Sequence, residues 1–280
     1  MRMDLDRATS LLVRHPTIFA MKALARLARR LPGQLGPSRR RFGSVEFVFP
    51  GRDHPATREM RWGLYEPETV RLLRQRLRPG DTFIDAGANI GYLSAIAAGL
   101  VGPGGQVHAF EPVPDYFESL QSLSRLNRSR RIFARRVALG EKQGTASISV
   151  AAGSNIGWNT MVPGFMRPAD TDRIIEVPVV RLDAYLEDHG IGEIALIKID
   201  TEGFELPVLR GLERFFASGG RPPIICEVAP AAYSLLGRDV KDLFEYLAAF
   251  SYRARTLMGR RETVRPDEVL DTMNVLFEST

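Results

Sequence analysis

Residues 81–112, DTFIDAGANIGYLSAIAAGLVGPGGQVHAFEP, constrain the fold more than any other part of the chain. Thr82 to Ala86 is a short apolar run of the kind that a strand buried on both faces requires. Gly87 and Gly91 bracket a turn at which the backbone must pass close to a ligand, and a residue without Cβ leaves that space. Ile90 to Leu100 follows as an alanine-rich apolar helix that packs on a sheet through small side chains. Gly102, Gly104 and Gly105 end it, and Gln106 to Phe110 reads as the next parallel strand. Glu111 then falls at the carboxyl end of that strand, where open α/β sheets bind ligands. A carboxylate there can accept hydrogen bonds from both hydroxyls of a ribose. The stretch therefore predicts an α/β fold built around a nucleoside cofactor.

The spacing of the glycines narrows the cofactor. A dinucleotide fingerprint beginning at Gly87 requires glycine at positions 89 and 92, which are Asn89 and Tyr92, so the pyrophosphate cradle is missing. Asp85-Ala86-Gly87-Ala88-Asn89-Ile90-Gly91 resembles instead the first motif of S-adenosylmethionine-dependent methyltransferases. In those enzymes the turn hosts the amino acid end of the cofactor, which carries no phosphate. An ordinary βαβ unit with glycines needed only for turns is the structural alternative.

At 280 residues the chain accommodates one large α/β domain with appendages. Its one cysteine, Cys226, lies in an apolar strand-like run, which excludes a disulfide framework or a cysteine zinc site and fits a cytoplasmic protein. The formal charge of +5 is unevenly placed. Residues 1–41 carry ten Lys/Arg and two Asp, net +8, and the remainder carries 28 basic and 31 acidic residues, net −3. The chain thus divides into a basic helical arm and linker, 1–41, and a catalytic domain, 42–280. Within the arm, Ile18, Met21, Leu24, Ala25, Ala28 and Leu31 share one helical face, and Lys22, Arg26, Arg29 and Arg30 another. A helix packed on the domain with a solvated basic rim is the favoured reading; a helix in peripheral contact with an anionic membrane stays open. No apolar run in the sequence is long enough for a membrane span.

Downstream, strands are expected at Val45–Phe49, Ile132–Val137, Gly144–Val150, Ile174–Val180, Glu193–Ile199 and Pro223–Val228. Tyr252–Leu257 and Asn274–Glu278 read as a closing antiparallel pair. Helices are expected at Glu66–Leu77, Pro114–Asn127, Arg181–His189 with Asp183 as cap, Phe204–Ala217 and Val240–Phe250. Arg52 to Gly63, with His54 and Trp62, reads as an irregular loop, and a roughly twenty-residue insertion before Ile174 reads as a substrate loop.

Four segments carry a narrower likeness: Phe83 to Gly91, Phe110-Glu-Pro-Val-Pro114, Ala138-Leu-Gly140 and Ile197-Lys-Ile-Asp-Thr-Glu-Gly-Phe-Glu205. With them the chain resembles the FkbM family of methyltransferases over roughly residues 62–257. The resemblance implies a Rossmann-like class I methyltransferase fold with a mainly parallel seven-stranded sheet. It implies methyl transfer from S-adenosylmethionine to a hydroxyl of a small metabolite, sugar or polyketide-like acceptor. By the same resemblance Asp85, Gly87, Asn89 and Gly91 line the methionine part of the cofactor, Glu111 the ribose, and Ala138 the adenine.

Asp200 and Glu202 follow the fourth strand and Glu227 sits near the end of the fifth; these three are the candidates for contact with the acceptor and for the base, and Glu205 reads as structural. A divalent metal held by these acids is an alternative but is not predicted. A nicotinamide oxidoreductase and a non-catalytic binding module with the same fold are the competing functions. Nucleic acid is disfavoured as substrate, because the domain is acidic and an N-P-P-Y type tetrapeptide is missing after the fourth strand.

Overall fold

The computed structural model describes residues 16–28, 36–51, 55–152, 158–258 and 262–279. Helix α1 (Pro16–Ala28) precedes a hairpin of β1 (Ser38–Phe42) and β2 (Val45–Phe49), then α2 (Pro55–Trp62) and α3 (Pro67–Arg76). The region expected to bind a nucleoside follows as β3 (Thr82–Ala86), α4 (Tyr92–Val101) and β4 (Gln106–Phe110). Next come α5 (Pro114–Leu126), β5 (Arg131–Arg135), β6 (Ala138–Leu139), β7 (Gly144–Ala151), β8 (Thr171–Val180) and α6 (Leu182–Asp188). The chain continues with β9 (Leu196–Ile199), α7 (Glu205–Arg210), α8 (Glu213–Ala217) and β10 (Ile224–Val228). It closes with α9 (Pro230–Leu235), α10 (Val240–Ala249), β11 (Tyr252–Thr256) and β12 (Met273–Ser279).

The main sheet has seven strands in the order β11-β12-β10-β9-β3-β4-β5. β5, β4, β3, β9 and β10 run parallel, and β12 is antiparallel to both β10 and β11. The chain winds outward from β3 through β4 to β5, then returns to the other side of β3 as β9. That reversal leaves a crevice at the carboxyl ends of β3 and β9. The strand period of two decides what points into it. Phe83, Leu196 and Ile225 join the core with β2, α3 and α4, whereas Ile84, Ile197 and Cys226 join the core beneath α6, α7 and α10. Asp85, Lys198 and Glu227 share the parity of the first set and therefore face the α3–α4 side together. Asp85 and Lys198 are direct register partners.

Several expectations are corrected. Ser38–Phe42, read as linker, is a strand paired antiparallel with β2, so a boundary at residue 41 falls inside a hairpin. Arg40 donates to the carbonyls of Met60 (3.2 Å) and Arg61 (2.7 Å) at the end of α2, which a solvated linker would not do. Residues 55–62, read as loop, form α2 with Pro55 at its first position; His54 lies outside the described residues. Phe204–Ala217 is two short helices, with Gly211 packed against the Gly140 carbonyl at the junction. Asp183 does not cap its own helix: it is buried and accepts from the side chains of Arg181 (2.6 and 2.9 Å) and Arg214 (3.1 Å), and from the Arg214 backbone N–H (3.2 Å) in the first turn of α8. β7 and β8 form a three-stranded sheet with β6 apart from the main one, which leaves Leu196–Ile199 as the fourth main-sheet strand in chain order, as expected.

Candidate active site

The turn after β3 is built by backbone. The N–H groups of Gly87 and Ala88 both donate to the Phe110 carbonyl (3.0 and 2.9 Å), tying the turn to the end of β4. Asn89 adopts φ 52°, a conformation asparagine tolerates better than most residues. Its N–H donates to Glu111 Oε2 at 2.9 Å, and Val113 N–H donates to Oε1 at 2.8 Å. Glu111 thus has a structural duty that its sequence position did not reveal. Each oxygen keeps a lone pair for a further donor.

Gly87 and Gly91 are glycines for reasons internal to the fold. At Gly87 (φ +80°) a Cβ would lie 1.8 Å from the Asp200 carbonyl oxygen, so protein backbone, rather than a ligand, occupies that space. Gly91 (φ +87°) is buried, and a Cβ there would meet Leu120 Cδ1 at 2.9 Å. It precedes α4 as its N-cap, and its Cβ position faces Leu120 and Leu123 of α5.

Of the other expected residues, Asp85, Gly87, Asn89, Glu111, Ala138, Asp200, Glu202 and Glu227 all line one crevice. Sequence reasoning missed Lys198, which lies 2% exposed inside the segment that carried the family likeness. Its Nζ donates to Asp200 Oδ2 at 2.6 Å. Tyr65 was also missed; it lines the crevice and stands edge-on to Tyr92, with ring centroids 5.8 Å apart. No local pattern marked it.

Asp200, Glu202 and Glu227 converge: one oxygen from each lies within 4.8 Å of the others, a spacing that suits either a shared proton or an oxygen-liganded divalent cation. Thr160, from the expected substrate loop, donates its hydroxyl to the Glu202 carbonyl at 2.7 Å, so that loop reaches the site. Glu205 instead accepts from the N–H groups of Thr201 (3.2 Å) and Gly203 (2.8 Å), and from Tyr233 (3.3 Å), fully buried.

Burial, and then the repulsion between neighbouring carboxylates, favours the neutral forms of several of these acids. Burial pushes Asp85 up to about 6, although Lys198 and a 2.5 Å hydrogen bond from Ser94 oppose it. Burial pushes Glu111 up to about 7 against its two backbone donors, and Glu205 up to about 7 against its own. Burial, then Asp200 and Glu205, push Glu202 up to about 9. Glu227 is raised by burial and then by Asp200 and Glu202. Burial works against the Lys198 ammonium, but Asp200, Glu66 and Asp85 outweigh it and keep it charged.

These shifts make stability depend on pH. An acid raised in the folded state contributes stability below its ordinary value and loses it as pH rises through the folded value. Two groups work in the opposite sense, but only in acid. Burial holds His108 down at about 4, so its contribution is lost as pH falls below about 6.5. Burial opposes the Asp183 carboxylate, but Arg181 and Arg214 hold it down at about 2, so its contribution is lost only below about 4. Among the described groups only the raised acids act between about pH 6.5 and 9, and the melting temperature of the ligand-free protein should fall by several degrees. A scanning-calorimetry series with a flat or rising melting temperature over that window would contradict the protonated crevice.

The strand order, the parallel run closed by one antiparallel strand, and a crevice at the switch point define a class I methyltransferase fold. The model of the methyltransferase FkbM domain matches residues 85–254, and the chain belongs to that family. It is 35% identical over 164 residues to 31-O-demethyl-FK506 methyltransferase FkbM of Streptomyces tacrolimicus, covering 49% of this chain and 61% of that one. It is 26% identical over 147 residues to hexuronic acid methyltransferase AglP of Haloferax volcanii, covering 52% of this chain and 56% of that one. The matches span about three fifths of the length of these relatives. Among solved structures, methyltransferase FkbM from Methylobacillus flagellatus KT aligns with 97% of this chain and 60% of its own, at 20% identity and TM-score 0.42.

Proposed function

We propose that the chain is an S-adenosylmethionine-dependent O-methyltransferase acting on a hydroxyl of a small metabolite, sugar or polyketide-like acceptor. One observation carries the reading. Among the described residues, the crevice lining holds five carboxylates, Asp85, Glu111, Asp200, Glu202 and Glu227, and one cation, Lys198. S-adenosylmethionine brings a sulfonium and an ammonium against one carboxylate, so its net positive charge offsets that excess. A nicotinamide dinucleotide brings a pyrophosphate and would add to it. The relatives whose names specify 31-O-demethyl-FK506 and hexuronic acid support a small-molecule acceptor.

In this reading Asn89, Gly87 and Asp85 hold the amino acid end, the free lone pairs of Glu111 take the ribose hydroxyls, and Ala138 lies by the adenine. When bound, S-adenosylmethionine would supply the electrophilic methyl carbon, with its sulfur keeping the C–S bond pair; a carboxylate of the Asp200–Glu202–Glu227 group takes the proton of the acceptor hydroxyl that attacks this carbon. Lys198 orients Asp200 through its 2.6 Å hydrogen bond. A bound sulfonium would favour the ionised forms of Glu202 and Glu227, readying one of them as base.

Calorimetry with S-adenosylmethionine and with NAD tests this directly. S-adenosylmethionine should bind and NAD should not. Glu111→Gln, which keeps one backbone acceptor, should weaken binding by roughly 1.5–3 kcal/mol, the scale of hydrogen bonds to a charged group. If wild-type protein binds NAD and not S-adenosylmethionine, the reading is wrong. Unchanged affinity in folded Glu111→Gln would take Glu111 out of the site. Binding without methyl transfer to any hydroxyl acceptor in a metabolite extract, followed by mass shift, would favour the non-catalytic module.

A further inference from the structure

The outward face of α1 is apolar. Ile18 and Ala25 are buried where the helix packs on α2 and α3, and Lys22 pairs with Glu68 of α3. The opposite side presents Ala20, Ala23, Leu24 and Leu27, all exposed, the two leucines at 53% and 59%. At 3.6 residues per turn these four fall within an arc of about 100°. A surface helix ordinarily turns a polar face to water, so the solvated basic rim expected from the sequence is not what this side shows. Arg26 lies exposed at the edge of the apolar strip.

Charge selects what covers it. The strip lies within residues 1–41, which carry net +8 while the rest of the chain carries net −3. A second copy laid face to face would set +8 against +8. An anionic lipid surface offers both an apolar layer for the leucines and negative headgroups for the flanking arginines. The 13-residue helix is too short to cross a bilayer, and no described helix is long and apolar enough to do so. We propose that α1 lies flat in the interface of an anionic bilayer, with Leu24 and Leu27 among the acyl chains. Met60 of α2 and Tyr65, between α2 and α3, line the crevice, so the elements that α1 packs on also border it.

Flotation of the full chain with phosphatidylcholine vesicles, with and without phosphatidylglycerol, tests the proposal. The chain should float with the anionic vesicles at low ionic strength. It should be largely released at about 1 M salt, where the Debye length falls to about 3 Å. Leu24→Asp with Leu27→Asp should lower partitioning at least tenfold, roughly the contribution of one exposed leucine moved into an apolar phase, with melting temperature unchanged. Absence of flotation by the wild-type chain would overturn the proposal, as would equal flotation of the double variant. A dimer in light scattering that the double variant dissolves would make a second copy the occupant and overturn the lipid. The readout is binding alone, so it stands or falls independently of the cofactor and the reaction.

Discussion

Gly87→Ala is expected to cost at least about 4 kcal/mol of folding stability, through strain at φ > 0 together with overpacking. The new Cβ would lie 1.8 Å from the Asp200 carbonyl oxygen and 2.9 Å from its carbon. That carbonyl cannot retreat alone, because Asp200 N–H is bound to the Ala86 carbonyl at 3.0 Å, so relief means parting β3 from β9. In a chain of this size such a loss lowers the melting temperature by roughly 8–16 °C. Gly80→Ala is the control: Gly80 also has positive φ (+96°), but nothing lies within 4 Å of its Cβ position. It should cost only the backbone strain, on the order of 1 kcal/mol. Equal, small losses for both variants would show that the β3–β9 approach is looser than described.

The second large effect is on turnover. Asp200→Asn, Glu202→Gln and Glu227→Gln are near isosteric, so each mainly removes a charge or a proton acceptor. The variant lacking the base should lose roughly 10²- to 10⁴-fold in kcat, the usual contribution of general base catalysis, while calorimetric cofactor affinity changes much less. Asp200→Asn differs from the other two because it strips Lys198 of its 2.6 Å partner and leaves a buried ammonium to the remaining acids. Its melting temperature should fall as well. Assays with a chelator separate base from metal. Activity abolished by chelator and restored by magnesium assigns the three oxygens within 4.8 Å to a cation, whereas chelator-insensitive loss in one variant assigns that residue as base. Wild-type turnover in all three variants would remove the cluster from the chemistry.

Much of this architecture was legible locally. Thr82–Ala86, Gln106–Phe110 and the closing pair near Tyr252 and Asn274 are where apolar runs and glycine punctuation placed them. Their local pattern and tertiary burial agree, and consistency across levels is what makes a strand readable. Residues 38–41 misled because three successive arginines read as solvated charge, yet alternation sends Arg40 inward onto the end of α2. Residues 55–62 misled because their helix is polar outside and anchored by a few buried groups, Thr57, Glu59 and Met60, with no apolar stripe to announce it.

The sequence by itself determined the sheet, the acidic residues at its strand ends and the kinship, because strand period, turn glycines and motif spacing are properties of neighbouring residues. Only the tertiary structure decided that Gly87 yields to the Asp200 carbonyl, that Glu111 holds its own turn, and that Lys198 is the counter-charge among five acids. It also decided that Asp200, Glu202 and Glu227 meet, and that α1 turns leucines to the outside. Each of these is a contact or an exposure set by segments far apart in the chain. Burial, which raises the pKa of the acids, exists only once those segments have closed around them.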